Sequence, residues 1–425
     1  MTNKIIEKFY KKEFGIKEEL LELSRKIEDR PVVKKSFSKI NNMAEFNQLK
    51  VIKAFQKSKI TSEDFNWYTG YSYNDKGREK IEEIFADVFR AEEALVRTQF
   101  VSGTHAISTC FFGLLRPGDE MIYASGTPYD SIHNSIGINS NGMGSLKEFG
   151  ILYNEVAMKN DDIDYETLDS IISNNTKLIV LERAIGYANR KALTISKIEK
   201  FAKHIKEKYP NIITMVDNCY GEFIEERGPI EAGIDIIAGS LIKGPGGGIA
   251  RSGGYVSGKK DLVEKISYRL TCPGVGGEEG AMYGQTMDIL QGFYFAPIAV
   301  SNALKGAIFC GEIFKELGYQ VSPEINEERS DIVETIYLGS KEKLILFCEA
   351  IQEASIIDSI YMPVPEKLPG YDDDIIMASG AFVQGSTIEV SADAPLREPY
   401  CVYYQGGLTF PHAKLAVLKA ASKIL

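Results

Sequence analysis

Tryptophan occurs once in this chain and histidine four times, and its six cysteines are scattered singly at positions 110, 219, 272, 310, 348 and 401. With no CxxC pair, neither a disulfide framework nor a structural zinc site is expected. Dense runs of Lys and Arg are missing too: 49 basic residues face 59 acidic ones, for a net charge of −10. Such a surface repels phosphate backbones, so nucleic-acid partners are not expected. The opening stretch MTNKIIEKFYKKEF is charged every few residues and lacks the continuous apolar core of a signal peptide. No window approaches the run of about 18 uncharged apolar residues that a membrane span needs. The nearest, Ile289–Ile308, is interrupted by Gly, Pro, Gln, Asn and Lys305. Internal repeats and low-complexity tracts are also absent. What is present is 425 residues, 44% apolar and 25% charged. That is ample for a packed core without staples, and at roughly 150 residues per domain it suggests two or three domains. The composition reads as a cytoplasmic soluble protein.

Residues 4–28 carry Ile5, Ile6, Phe9, Ile16, Leu20, Leu21 and Ile27 at helical intervals, and 42–57 also reads as helix. The pattern dissolves over 58–77 into NWYTGYSYNDKG, a loop richer in aromatics than a solvated linker needs. Ile81, Ile84, Phe85, Val88 and Phe89 then fit a helical template, with Asn74 and Asp75 as candidate caps. The apolar runs Ala94–Val101, Met121–Tyr123, Leu178–Leu181, Ile212–Val216 and Ile234–Ala238 read as buried strands, and Ile195–Lys208 as a helix between two of them. Strands alternating with helices predict an α/β fold with a mostly parallel sheet covered on both faces. From 285 to 317 one long helix is expected, interrupted at Gly292 and Pro297. After Gly318 a smaller α+β domain follows, with strand-like Asp331–Leu338 and Ala381–Ala392, a helix at Lys341–Ser355 and a last helix from Pro411 to Leu425. The expected division is 1–77 (helical segment and aromatic loop), 78–300 (large domain) and 301–425 (small domain).

The most informative stretch is AGSLIKGPGGGIARSGG (238–254). A P-loop requires Gly-Lys-Ser/Thr, whereas Lys243 follows Ile242 and precedes Gly244; the dinucleotide pattern fails at Ile249. What remains is a lysine in a tight turn after an apolar strand. The glycines would let a large planar ligand approach the backbone, and desolvation would favour the neutral, nucleophilic amine that a Schiff-base lysine needs. Upstream, the apolar strand in IITMVDNCYGEF (212–223) ends in Asp217. Ligands collect at the carboxyl ends of parallel strands, and a carboxylate there can hold a pyridine nitrogen protonated. In VSGTHAIS (101–108) a strand meets a helix start, so Gly103, Thr104 and His105 would offer backbone N–H groups and a hydroxyl to an anion. Tyr129, in SGTPYDS, is a candidate stacking platform. Each of these also has a plainer reading as a loop lysine, a turn aspartate, a capped helix or a turn tyrosine; their order and spacing together favour the chemical one.

The sequence resembles the fold type I pyridoxal-phosphate enzymes of the cysteine/methionine metabolism group. Within it, the resemblance is to the methionine gamma-lyase family or aluminium resistance proteins, related to cystathionine beta-lyase. YSYNDKGREKIE, QFVSGTHAI, RPGDEMIYASGTPYDS, LERAIGY, VDNCYGEF, GSLIKGPGGGIARSGGY, CPGVGGE and LREPYCVYYQGGLTFPH carry it over roughly residues 65 to 415. It implies a fold type I architecture and pyridoxal 5'-phosphate as cofactor. It implies a carbon–sulfur lyase acting on a sulfur-containing amino acid by β- or γ-elimination through an internal aldimine at Lys243. Asp217 then partners the pyridinium nitrogen, and Gly103, Thr104, His105 and Ser240 surround the phosphate. Tyr129 stacks on the ring and takes part in proton transfer. Tyr71 matches a tyrosine that reaches the neighbouring subunit's cofactor, which implies a homodimer or homotetramer with shared sites. Arg397, in SADAPLREPY, is the candidate for the substrate carboxylate.

The chain departs from that pattern in three places. Tyr73 stands where the better-known lyases carry an arginine, Ile242 stands where they carry a threonine, and the asparagine near the phenolic oxygen has no clear match, with Tyr187 or Asn189 as substitutes. These changes leave open an aminotransferase, a γ-replacement enzyme, or a cofactor-binding protein without lyase activity. His133, His204 and His412 read as surface or capping residues, Cys219 as a small buried residue, and Asp372-Asp373-Asp374 as a solvated loop. The stretch GVGGEEG (274–280) reads as a mobile active-site loop or a plain flexible turn, with Glu278 as a group that could approach a substrate. No site for Al³⁺ is legible.

Overall fold

The computed structural model describes every residue except Met1, Ser72–Asn74, Asn139–Asn141, Pro369, Gly370 and Asp372. Asn74 and Tyr73 therefore lie outside the described residues, as does Asp372. The chain begins with three helices, α1 (Thr2–Phe14), α2 (Glu18–Glu28) and α3 (Pro31–Ser58). Then come α4 (Lys76–Phe89), β1 (Glu93–Arg97), α5 (Gly103–Leu114), β2 (Glu120–Tyr123), α6 (Asp130–Ile136), β3 (Leu152–Glu155), α7 (Tyr165–Ile171) and β4 (Thr176–Glu182). Next are α8 (Ile195–Lys208), β5 (Ile213–Asp217), β6 (Ile236–Ser240), β7 (Gly254–Gly258), α9 (Lys260–Leu270) and α10 (Thr286–Glu316). The chain ends with β8 (Gln320–Ser322), β9 (Glu334–Tyr337), α11 (Lys341–Ala354), β10 (Ile375–Ser379), β11 (Ser391–Pro395), β12 (Cys401–Gln405) and α12 (Phe410–Ile424).

Two compact units result, one of residues 45–297 and one that joins 1–44 to 298–425. This differs from the three consecutive segments read from the sequence. The reason is apolar: Ile16, Leu20, Leu21, Ile27 and Val33 belong to one core with Phe309, Ile313, Phe347, Val402 and Val417. The first helices therefore complete the core of the smaller unit.

The larger unit is built on a seven-stranded sheet in the order β1-β7-β6-β5-β4-β2-β3. Strands β6, β5, β4, β2 and β3 run parallel, and β7 is antiparallel to both β1 and β6. Because side chains alternate along a strand, Leu178, Val180, Met215, Ile236 and Ala238 present one face to Ile107, Cys110 and Phe111 of α5. On α4, Phe85 stacks on Phe293 of α10 at 3.9 Å between ring centres, and Phe89 stacks on Tyr255 of β7 at 5.2 Å. The smaller unit contains a five-stranded antiparallel sheet, β10-β11-β12-β9-β8.

Several local expectations are corrected. The stretch 4–28 is two helices separated at Gly15 (φ +67°), and 42–57 belongs to the longer α3. Ala381–Ala392 contributes a strand only from Ser391. Helix α10 is continuous through Gly292 and Pro297. It is also long and apolar enough to cross a membrane, which the sequence reading denied, but 72% of its most apolar window is buried in protein. Its apolarity is therefore that of a core helix.

Candidate active site

The parallel strands β4, β5 and β6 end together, and their last residues are chemically active. Glu182 pairs in register with Asp217, Asp217 pairs with Ala238, and Ser240 closes β6. All three polar residues are buried. Burial pushes the Asp217 carboxyl up, against the Lys243 ammonium and the Cys219 N–H, which donates to Asp217 Oδ1 at 3.0 Å.

Lys243 lies three residues beyond the end of β6 and is half-buried beside this cluster. Its Nζ lies 4.1 Å from the centre of the Tyr220 ring, a cation–π contact. Burial pulls the ammonium down, but Cys219, Tyr220, Asp217 and Tyr129 together pull it well above its ordinary range. Desolvation alone would favour the neutral amine expected from the sequence; the net shift runs the other way. The following glycines also serve a different purpose from the one expected. A Cβ on Gly247 would meet Gly292 O at 2.3 Å, and one on Gly292 would meet Gly246 O at 2.1 Å. These glycines let α10 pack backbone to backbone against the lysine turn, so Lys243 sits on a braced support.

The N-terminus of α5 faces the same cluster. A Cβ on Gly103 would lie 3.0 Å from Ser240 Cβ and 3.6 Å from Cys219 Sγ. Ser102 caps the helix by accepting from His105 N at 3.0 Å. That bond removes His105 from the expected backbone donors and leaves the Gly103 and Thr104 N–H groups in the first turn, where the helix dipole favours an anion. The His105 ring is turned back, with Nδ1 accepting from Val101 N at 3.1 Å. Thr104 Oγ1 hydrogen-bonds to Tyr129 Oη at 3.2 Å and to Ser131 Oγ at 3.1 Å. Burial, reinforced by Asp217, pushes the Tyr129 phenol well up, so it stays protonated. Lys243, Asp217, Ser240, Gly103, Thr104 and Tyr129 thus belong to one neighbourhood.

Other predicted residues lie elsewhere. Tyr71 is 72% exposed on the aromatic loop. Arg397 belongs to the smaller unit, where it pairs with Asp373 at 3.0 Å. Tyr187 is half-buried and Asn189 exposed in the loop after β4. Glu278 is exposed, and its loop is tethered: the carbonyls of Gly277, Glu278 and Ala281 accept from Arg97, Arg78 and Gln99 at 2.7, 2.8 and 2.7 Å. The free-loop reading of 274–280 is therefore corrected. Arg78 also donates to Gly70 O at 3.1 Å, which ties the aromatic loop to the same support. His133 and His412 bond backbone carbonyls and His204 bonds Asp169. Among the described residues no His/Cys/Asp/Glu group has the arrangement of a metal site.

Sequence reasoning missed Glu182, Tyr220 and Ser131. Glu182 ends an apolar strand just as Asp217 does, a signal that could have been used. Tyr220 carried no signal, because its place beside Lys243 depends on a left-handed turn at φ +68°.

The methionine gamma-lyase family profile matches residues 21–425. The chain belongs to this family. It is 46% identical over 388 residues to the uncharacterised protein YnbB of Bacillus subtilis, covering 91% of this chain and 92% of that one. It is 45% identical to a carbon–sulfur lyase involved in aluminium resistance from Clostridium novyi, with a TM-score of 0.93 and coverage of 98% and 99%. A provisionally named cystathionine beta-lyase involved in aluminium resistance from Clostridium acetobutylicum is 44% identical, with a TM-score of 0.95 and 99% coverage of both chains. The metY protein of Campylobacter jejuni, at 17% identity, TM-score 0.56 and coverage of 82% and 87%, shares the fold alone; its structure holds a pyridoxyl-lysine phosphate. The architecture is that of the fold type I pyridoxal-phosphate enzymes.

Proposed function

We propose that this protein is a pyridoxal-phosphate-dependent carbon–sulfur lyase that acts on a sulfur-containing amino acid by β- or γ-elimination. The observation that carries the reading is the convergence of Lys243, the buried Asp217 and the α5 N-terminus at the carboxyl ends of β5 and β6. This donor set fits pyridoxal phosphate. It offers an amine for covalent attachment, a buried carboxylate for the ring nitrogen, and first-turn N–H groups beside Ser240 and Thr104 for the phosphate.

When bound, the cofactor supplies an electron sink for the pair left at the substrate Cα. Asp217 holds a proton on the ring nitrogen. Lys243 would hold the cofactor through Nζ, and the same atom would accept the substrate's Cα proton. Tyr129, still protonated, gives its phenolic proton to the departing sulfur. The bond that breaks is C–S; the products are a thiol and an unsaturated amine that water converts to a keto acid and ammonia. Arg397 is assigned to the substrate carboxylate. Tyr71 is assigned to a neighbouring subunit's cofactor in a homodimer or homotetramer, and the location is taken to be cytoplasmic.

The test begins with the absorption spectrum of the purified protein. A violet-absorbing band that borohydride removes, and that Lys243→Ala lacks, supports attachment at Lys243. Thiol, keto acid and ammonia released together from a sulfur amino acid support the lyase. A keto acid formed only with an added acceptor and without ammonia would mean a transaminase. A protein that stays colourless with added cofactor would sink the proposal.

A further inference from the structure

Among the described residues at the carboxyl ends of β4, β5 and β6, Glu182 is the buried carboxylate to which the lyase chemistry gives no task. It is 6% exposed and faces the site from β4, in register with Asp217. Its Oε2 accepts from Tyr129 N at 3.1 Å. On its other side, Gly186 adopts φ +57°, where a Cβ would stand 2.7 Å from Glu182 Oε1 and 3.6 Å from Tyr129 Cβ. The loop after β4 thus folds back over the carboxyl so tightly that only glycine fits. The backbone of Glu182 is fixed as well: its N–H donates to Ser125 Oγ at 2.8 Å, and its carbonyl accepts from Arg190 at 3.0 Å.

We infer that Glu182 is a positioning residue for Tyr129: its carboxyl clasps the Tyr129 main chain against the loop Ala184–Arg190, and this holds the phenol at the N-terminus of α5. The inference rests on the proposed cofactor reading only for the use to which Tyr129 is put; the clasp itself belongs to the protein alone. Three features support it. A buried acceptor is committed to a main-chain N–H at a place where the chain leaves regular structure just before α6. The Tyr129 side chain then reaches Thr104, on a different element, through a single hydroxyl contact. Asp217, Lys243 and Arg190 set the electrostatics of the carboxyl, and burial pushes it up to about 7 against Arg190, with Asp217 adding to the rise. The group therefore keeps an acceptor oxygen for Tyr129 N in either protonation state.

The test has two arms. In cofactor-free protein, hydrogen exchange at the Tyr129 amide should quicken by about tenfold or more in Glu182→Ala, the loss expected for one buried bond to a carboxylate. Glu182→Gln, which keeps an acceptor, should stay near the parent. In the second arm, pyridoxal phosphate is titrated into each protein. Glu182→Ala should weaken binding about tenfold with Tyr129 present and much less in the Tyr129→Ala background, since nothing is then left to position. Unchanged exchange in Glu182→Ala, or effects of the two alanines that simply add, would overturn the inference. If Glu182→Ala does not fold, exchange in Glu182→Leu against Glu182→Gln decides the same question. A parent protein that fails to bind the cofactor would remove the lyase reading, while the exchange arm would still decide the clasp.

Discussion

Lys243 presents its Nζ 4.1 Å from the centre of the Tyr220 ring, and Tyr220 holds that ring in place from a left-handed backbone conformation at φ +68°. An aromatic face stabilises the charged form of the amine by about 0.5–2 kcal/mol, more when water is excluded. Tyr220→Ala should therefore lower the Lys243 pKa, and covalent capture of pyridoxal phosphate should begin at lower pH than in the parent. Tyr220→Phe, which keeps the aromatic face and loses only the phenol, should fall between the parent and Tyr220→Ala. The pH dependence of the capture rate checks both.

Gly292 offers a test of sign. Exchange of an interior helical glycine for alanine ordinarily stabilises by up to about 1 kcal/mol. Here the new Cβ would meet Gly246 O at 2.1 Å in the turn that supports Lys243. Gly292→Ala should instead cost about 1–3 kcal/mol, the usual penalty of overpacking, and should weaken cofactor capture as well. Urea unfolding together with cofactor titration reads both effects.

Asp217→Asn should separate binding from chemistry. Asparagine fills the space and can still accept from Cys219 N, but it cannot hold the ring nitrogen charged. Covalent attachment at Lys243 should survive while the elimination rate falls on the order of a hundredfold or more, the scale of losing one buried electrostatic partner. The spectrum with and without borohydride, set beside turnover, checks this.

Three buried carboxyls should make stability fall as pH rises from about 5 to 8. Burial raises Glu182 and Glu222 to about 7 and Glu334 to about 8, from an ordinary 4.5. A carboxyl with a higher folded-state pKa binds more protons in the folded chain between the two values. Its contribution is therefore fully present below about 4.5 and is lost as pH climbs to about 7 or 8. Glu334→Gln cannot ionise, so its urea midpoint should decline less than the parent's between pH 5 and 8.

Much of the larger unit was legible. Leu178–Leu181 and Ile236–Ala238 are continuous apolar runs because both faces of a parallel strand are covered, and such runs need no partner to be recognised. The exposed edge strand Leu152–Glu155 carries no such run and was missed. So were β7, whose Gly-Tyr-Val-Ser-Gly looks like turn sequence, and β12, whose Tyr404 is buried against Phe347 of α11 and Ala413 of α12. At the site, Asp217 and Lys243 were visible because each follows an apolar strand. The tethering of 274–280 was not, since the carbonyls that hold it answer to Arg78 and Arg97, about 180–200 residues earlier.

Local pattern was enough to tell which residue types end the central strands, where the lysine turn and the α5 start fall, and that the fold is α/β. Those are local matters of periodicity, capping and turn chemistry. Packing set the rest: that the glycines after Lys243 serve a helix, that Tyr220 places its ring beside the lysine, that Glu182 reaches Tyr129, and that the first helices complete the core of the smaller unit. Each of these depends on groups far apart in the chain meeting at a few ångströms. Burial and hydrogen bonding at such distances are set by packing, on which local pattern is silent.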